Sequence, residues 1–506
     1  MGRSRALASR GLASRGPASR WLALTVLCAA MMMIILDGTI VTVALPAIQR
    51  DLGFSSSGLA WVVNAYLIAF GGLLLLAGRL GDLIGGKRVF LAGLAVFTVA
   101  SLLCGVSVSE PMLIAARFAQ GAGGAMASAV SLGMIVRLFS EPPLRARALG
   151  IYSFTGAGGA SVGLVLGGVL TQALSWHWIF FVNAPIGTAA IAAGWLLLAG
   201  ERGTAPRSLR AGADAVGALL VTAGLMTAVY AIVETSSYGW GSARTLVTGA
   251  VAVVLLAAFV ARQHLARTPL LPLRIFRSRS VSGANVVQAL TVAAAFGFQV
   301  LIPQYMQRVL GYGAAEAGVG MLPAAVVIGG LSAGLSARLI ARFGLRSMLM
   351  AGLAPIVIGF ALLTRLPAAG SYPLHLLPTM LLLGGFGLAF PAMITLAMSG
   401  AADSDAGVAS GLVNTTQQVG AALGVAVLST LAAAQTGRLL AAGRPAADAL
   451  TGGYHVAFGT GAVLAAAALV LAAAVLRPAG DRRPARSPGP AETGPRRQRD
   501  QVGDPR

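Results

Sequence analysis

Apolar residues in this chain come in long unbroken runs separated by short polar joints. Fourteen runs can be traced, near 21–45, 59–78, 89–107, 111–136, 146–172, 178–200, 213–234, 245–261, 281–306, 314–337, 347–365, 373–398, 406–433 and 454–476. Runs of about 20 residues match the length an α-helix needs to cross a bilayer core. They are continuous, with no ten-residue alternation of the kind membrane β-strands show. The pattern therefore predicts an all-α polytopic membrane protein.

An even number of spans returns the C-terminus to the side of the N-terminus. Of the 37 basic residues, 30 fall in the tails and joints on that shared side, six in the opposite joints, and Arg117 inside a run. Lys and Arg accumulate on the cytoplasmic face. Both termini are thus expected inside the cell membrane, with 235–244 outside.

Composition agrees. Hydrophobic residues make up 57% of the 506 and charged residues 10%, against roughly 25% charged in an ordinary soluble domain. The net charge of +21 raises nucleic acid as a partner, but the charges sit in topology-setting joints and nucleic acid is excluded on that ground. Lys87 is the single lysine among the basic residues. Cys28 and Cys104 lie inside apolar runs without metal-ligand spacing and read as small buried hydrophobes. The four histidines, His177, His264, His375 and His455, are scattered at span ends. No nucleophile or metal constellation stands out, so neither an enzyme nor a metal or other cofactor is expected. The first run continues through Pro46 with no cleavage site, so no removable leader is expected.

The domain reading follows from the runs. Residues 1–20, which repeat ALASR, GLASR and GPASR, form a basic cytoplasmic tail. A first six-helix bundle spans 21–200, a cytoplasmic loop 201–212, two inserted helices 213–261, and a linker 262–280. A second six-helix bundle covers 281–476, and a Pro- and Arg-rich tail 477–506. GRLGDLIGGK at 78–87 echoes ARLIARFGLR at 337–346, each two spans into its half, as a parallel repeat would give.

One acid lies deep inside an apolar span. Asp37, in MMMIILDGTIVTVALP, is expensive there unless it faces a cavity or a partner charge. It is nine residues from Pro46 and Arg117 is six from Pro111, which places them about 13 Å and about 9 Å from one face. Matching depth leaves two readings: a static ion pair that positions two helices, or a proton site. Asp can gain and lose a proton whereas Arg cannot do so usefully, and moving the partner charge changes proton affinity.

Several segments now bear on family. GRLGDLIGGKR at 78–88, LDGTIVTVALP at 36–46, RFAQGAGGA at 117–125, WHWIFFVNAPIG at 176–187 and YGWGS at 238–242 together resemble the fourteen-helix drug:proton antiporters of the major facilitator superfamily. The resemblance covers nearly the whole chain except the tails. It implies a major facilitator fold of two six-helix bundles plus two inserted helices, exporting small amphipathic molecules in exchange for protons, with no cofactor beyond the proton gradient. It implies that the first and fourth spans face the central cavity, with Asp37 and Arg117 as the coupling pair. It also implies a conformational latch made by Gly78, Asp82, Gly85, Lys87 and Arg88, with Asp82 pairing to basic neighbours or a helix end. By position alone these latch residues read as a polar joint, and Lys87 and Arg88 equally as topology signals.

One departure stands in the fifth span, where antiporters of this kind carry Gly-Pro-x-x-Gly-Gly and this chain has Gly163, Leu164, Val165, Leu166, Gly167 and Gly168. A proline would kink the span. Its absence keeps a symporter or importer of the same fold open as an alternative, with a non-transporting receptor or scaffold further off. The glycines of this span, Gly156, Gly158 and Gly159 included, read as close helix packing rather than a phosphate loop, since no strand precedes them. Asn64, Gln288, Gln299, Asn414, Gln417 and Gln418 are candidates for a substrate cavity or for interhelical hydrogen bonds. The partners expected are a small-molecule substrate, protons and the lipid bilayer, with the chain acting as a monomer.

Overall fold

The computed structural model describes residues 17–55, 57–139, 141–198, 214–266, 269–271, 273–399 and 406–475, and over these residues each of the fourteen apolar runs is mainly helical. The 201–212 loop, the C-terminal tail and the N-terminal tail up to residue 16 lie outside these residues. The first half comprises α1 (Pro17–Leu52), α2 (Trp61–Ile84), α3 (Gly86–Gly105), α4 (Glu110–Leu138), α5 (Pro142–Ala173) and a broken α6 (Trp178–Phe181, then Asn183–Leu197). The inserted pair is α7 (Ala215–Tyr238) and α8 (Ala243–Leu265). The second half begins with α9 (Arg279–Arg308), followed by α10 in three pieces (Ala314–Gly320, Leu322–Gly330 and Ser336–Phe343) and α11 (Leu345–Leu363). It closes with a two-piece α12 (Leu377–Leu383, Phe386–Ser399), α13 (Ala406–Ala441) and α14 (Ala446–Val475). Among the described residues, eleven helices are long and apolar enough to cross a membrane, and three shorter apolar stretches fall in α2, α5 and α10.

Helix ends differ from the ends of the apolar runs. Pro46 lies inside α1, which runs on to Leu52; the apolar run reports the thickness of hydrocarbon, whereas helix continues into the polar interface. The residues expected in a joint after the second span are also mostly helical. α2 continues through Ile84 and α3 starts at Gly86, so Asp82, Lys87 and Arg88 are on helices and only Gly85 breaks the chain. Gly85 has φ of +99°, a conformation a side chain would strain, and that one residue makes the turn.

The buried side chains form two large cores. The first gathers Leu27, Met33, Ile40, Phe90, Phe97 and Phe180 from the first half, and takes in Val229 of α7 and Val425 of α13. The second centres on Tyr305, Leu349, Phe360, Leu383 and Phe458. Helices approach closely where glycine removes the side chain. A Cβ at Gly163 would lie 2.8 Å from the Leu36 carbonyl of α1, and one at Gly167 2.5 Å from that of Ile40. Gly168 faces the other half, where a Cβ would lie 2.5 Å from the Ala314 carbonyl of α10.

The halves pack together along α2 and α13, where a Cβ at Gly71 would lie 2.6 Å from Gln418 Cβ, and they also meet at the end where α1 leaves the apolar layer. Gln307 of α9 donates to the Val43 carbonyl at 2.9 Å, Arg308 donates to Gln49, and the Ala315 amide donates to Gln172 Oε1 at 3.0 Å. A cavity of about 800 Å³ opens beside this seam, lined by Gln49, Arg50, Gln172, Gln307, Arg308 and Tyr312 among others. Of the inserted pair, α7 packs inward against α2 and α13, with Thr222 tight against Gly72. α8 turns apolar residues such as Val247, Val253 and Val254 outward, as a lipid-facing helix does.

Candidate functional site

Asp37 projects from the middle of α1 and is fully buried, as is Arg117 about two turns into α4. Their side chains touch: Arg117 Nη1 donates to Asp37 Oδ2 at 2.5 Å. A buried carboxylate survives as an ion only when its partner and the remaining hydrogen bonds are in place. Here they are. Gln120 Nε2 donates to Asp37 Oδ1 at 2.7 Å and Asn183 Nδ2 donates to the same oxygen at 2.9 Å. The carboxylate thus receives three donors from α4 and α6.

The guanidinium is held from every side as well. Arg117 Nε donates to the Val62 carbonyl of α2 at 2.9 Å, and Nη1 also reaches Gln120 Oε1 at 2.6 Å. Its carbon lies 4.4 Å from the centre of the Tyr66 ring and 5.8 Å from that of Phe180, within the range of cation–π attraction. Ser101 of α3 accepts from Gln120 Nε2 at 2.7 Å, and the Cys104 thiol donates to Gln120 Oε1 at 3.7 Å. Five helices, α1, α2, α3, α4 and α6, therefore converge on one ion pair. Removing either charge alone leaves the other buried and uncompensated, at a cost of about 3–5 kcal/mol.

The pair ties α1 to α4 through opposite charges held in the core of the first half. No redox or nucleophilic chemistry is set up by these groups.

Gln120, Asn183 and Ser101 were not legible as site residues. Gln120 follows Arg117 by three positions, which puts both on one helix face, and that spacing was the available signal. Asn183 lies in the WHWIFFVNAPIG segment, at the break between the two pieces of α6.

The residues expected to form a latch fall at the opposite end of α2. Lys87 Nζ donates to the carbonyls of Trp195 and Leu198, both at 2.7 Å, at the C-terminal end of α6. Arg88 is exposed and Gly78 half-buried. The Asp82 side chain lies outside the described residues. Among the polar candidates, Asn64 is fully buried and neither side-chain atom has a hydrogen-bond partner among the described residues. Gln288 is buried and donates to the Val413 carbonyl at 3.3 Å. Gln299, Asn414, Gln417 and Gln418 are half-buried. None of the six lines the 800 Å³ cavity, so the structure does not gather them there.

At the foot of the inserted pair, Asp214 caps α7. It accepts from the Gly217 amide at 2.9 Å, from Arg262 Nε at 2.8 Å and from Gln263 Nε2 at 3.0 Å. Burial pushes its pKa up, but the hydrogen bonds from Arg262, Gly217 and Gln263 outweigh burial and hold it below the usual carboxylate range.

The model of the Major Facilitator Superfamily matches residues 27–425. The chain is 40% identical over 460 residues to the puromycin resistance protein pur8 of Streptomyces alboniger, covering 88% of this chain and 90% of that protein. It is 39% identical to the cephamycin export protein CmcT of Amycolatopsis lactamdurans, covering 82% and 85%. Among solved structures, an auto-inhibited POT family peptide transporter superposes with a TM-score of 0.65 at 17% identity, over 93% of this chain and 99% of that one. A bacterial homologue of the human lysosomal transporter Spinster gives 0.63 at 16% identity, over 91% and 98%. At such identities the structural likeness speaks for the fold.

Proposed function

Because the chain belongs to the Major Facilitator Superfamily, we propose that it exports small amphipathic molecules (drugs, antibiotics or secondary metabolites) from the cell in exchange for protons, by alternating access. The observation that carries export is the 40% identity, over nearly the full length of both chains, to a puromycin resistance protein. The cephamycin export protein supports the same direction. Proton coupling rests on Asp37, a titratable group held by donors from two helices at the core of the first half. An inward-moving proton gains about 2.3 kcal/mol per 100 mV of membrane potential, and Asp37 is the group that takes it up and passes it on.

In this reading the two six-helix bundles rock against each other about a central substrate path. The seam made by Gln307, Arg308 and Gln172 closes the outer end. The residues at 78–88 latch the inner end in the alternate state, with Asp82 as the acid of the latch. Asn64, Gln288, Gln299, Asn414, Gln417 and Gln418 contact substrate or its water as the bundles part; the unpartnered amide of Asn64 supports this. Both tails lie in the cytoplasm, and a single chain suffices for the cycle.

Import is the second reading, favoured by Leu164 standing where the antiporter proline would be. The test is accumulation of a panel of amphipathic antibiotics and dyes in cells lacking their own exporters, with and without this protein. Export lowers accumulation, and a protonophore abolishes the difference. Higher accumulation establishes import, and unchanged accumulation across the panel contradicts both.

A further inference from the structure

We propose that Asn183 is the positioning residue that serves Asp37 in both of its protonation states, by reversing its side-chain amide. The inference rests on Asp37 as the proton carrier and adds how the site tolerates the exchange. In the charged state Asp37 needs donors and has three: Arg117 on Oδ2, with Gln120 and Asn183 on Oδ1. Once protonated, the same group becomes a donor and needs an acceptor.

Few neighbours can accept. Arg117 has no acceptor atom. Gln120 Oε1 already receives Arg117 Nη1 and the Cys104 thiol, and Ser101 Oγ already receives Gln120 Nε2 and Asn183 Nδ2. Asn183 differs from all of these. Its Oδ1 is buried and has no hydrogen-bond partner among the described residues, while its Nδ2 donates to Asp37 Oδ1 at 2.9 Å and to Ser101 Oγ at 3.5 Å. Rotation of the amide about its last torsion, which is broad and two-fold, puts Oδ1 where Nδ2 was. The proton then sits on Asp37 Oδ1, the bonds from Asn183 Nδ2 to Asp37 Oδ1 and to Ser101 Oγ are lost, and an O–H bond from Asp37 to Asn183 Oδ1 replaces the first.

The consequence is directional. α6 stays bound to α1 in either state, through donation to the carboxylate or acceptance from the acid. Arg117 loses its ionic partner, so protonation loosens the link to α4 and spares the link to α6. Asn183 begins the second piece of α6, and the far end of that 15-residue helix, about 20 Å away, is where Lys87 binds. A steady α6 therefore keeps a fixed reference between the proton site and the α2–α3 turn. The other ionisable groups around Asp37 are Arg117 of α4, Tyr66 of α2 and Cys104 of α3. Their ordinary pKa values lie above the physiological range, which leaves Asp37 to carry the exchange.

The test compares Asn183→Leu and Asn183→Ser in reconstituted full-length protein. Leucine matches the volume and can neither donate nor accept; serine does both and leaves room for a bridging water. Two rates are read: export driven by a pH gradient, and substrate counterflow at equal pH. The expected result for Asn183→Leu is a tenfold or greater loss of gradient-driven export with counterflow within twofold of native. Asn183→Ser is expected within threefold on both. Native-like coupling in Asn183→Leu overturns the proposal, as does an Asn183→Ser protein no better coupled than Asn183→Leu. Loss of counterflow in parallel with export in Asn183→Ser assigns the residue to packing and overturns it too. Asp37→Asn is run alongside: if that variant keeps gradient-driven export, the proton-carrier reading is what has failed.

Discussion

Lys87 and Leu198 are joined across 111 residues of sequence by a hydrogen bond of 2.7 Å from the ammonium to the last carbonyls of α6. Those carbonyls have no partner within their own helix, and a cation at a helix C-terminus also complements its dipole. The lysine further stacks 5.7 Å from the Trp195 ring. Lys87→Gln is expected to cost about 1–2 kcal/mol and to lower the melting temperature of the purified protein by a few degrees. Arg88→Gln, at an exposed position, should leave it unchanged. Equal shifts in the two variants would return Lys87 to a topology signal alone.

The charge distribution predicts an orientation that labelling can check. Gly241, in the turn between α7 and α8, is exposed; Arg88, at the start of α3, is exposed at the opposite end. Cys28 and Cys104 are buried, so an impermeant thiol reagent has little background in intact cells. Gly241→Cys should label from outside and Arg88→Cys only after the cells are opened. The reverse pattern would invert the topology.

The Asp214 clamp gives a pH dependence with a definite sign. Its folded pKa is held below the ordinary value, so the stability it contributes is fully present above about pH 4 and is lost as pH falls through the folded value. The carboxylate ties α7 to Arg262 and Gln263 of α8, and Gln263 in turn accepts from the Leu271 amide. At pH 7 Asp214→Asn should therefore melt lower than the native protein. The gap should narrow below pH 4. A gap that stays constant to pH 3 would show that the charge of Asp214 does not hold the pair.

Much of this fold is visible in the sequence because a bilayer leaves few options: backbone polar groups must be paired within each span, so twenty apolar residues mean helix. Helix ends were less legible. α1 runs six residues past Pro46, and the Asp82–Arg88 segment is helical except at Gly85, since composition marks the edge of hydrocarbon and not the end of hydrogen bonding. The Asp37–Arg117 contact could be anticipated because charges in apolar spans are costly enough to need each other. Gln120, Asn183 and Ser101 could not, as neutral polar side chains occur at many helix contacts and cost little there. Asp82 gained no structural account, its side chain lying outside the described residues.

The central claim is that Asp37 carries the proton. Asparagine at this position keeps the shape and one oxygen, loses the charge and cannot titrate. Purified protein in liposomes, with an imposed pH gradient and both substrate and proton flux recorded, measures the claim directly. Asp37→Asn is expected to bind substrate but to lose gradient-driven export and the accompanying proton flux by a hundredfold or more, to background. Proton exchange and export in Asp37→Asn at near native rates would contradict the account, and Glu234, 3.4 Å from Arg244, would be the next acid to test.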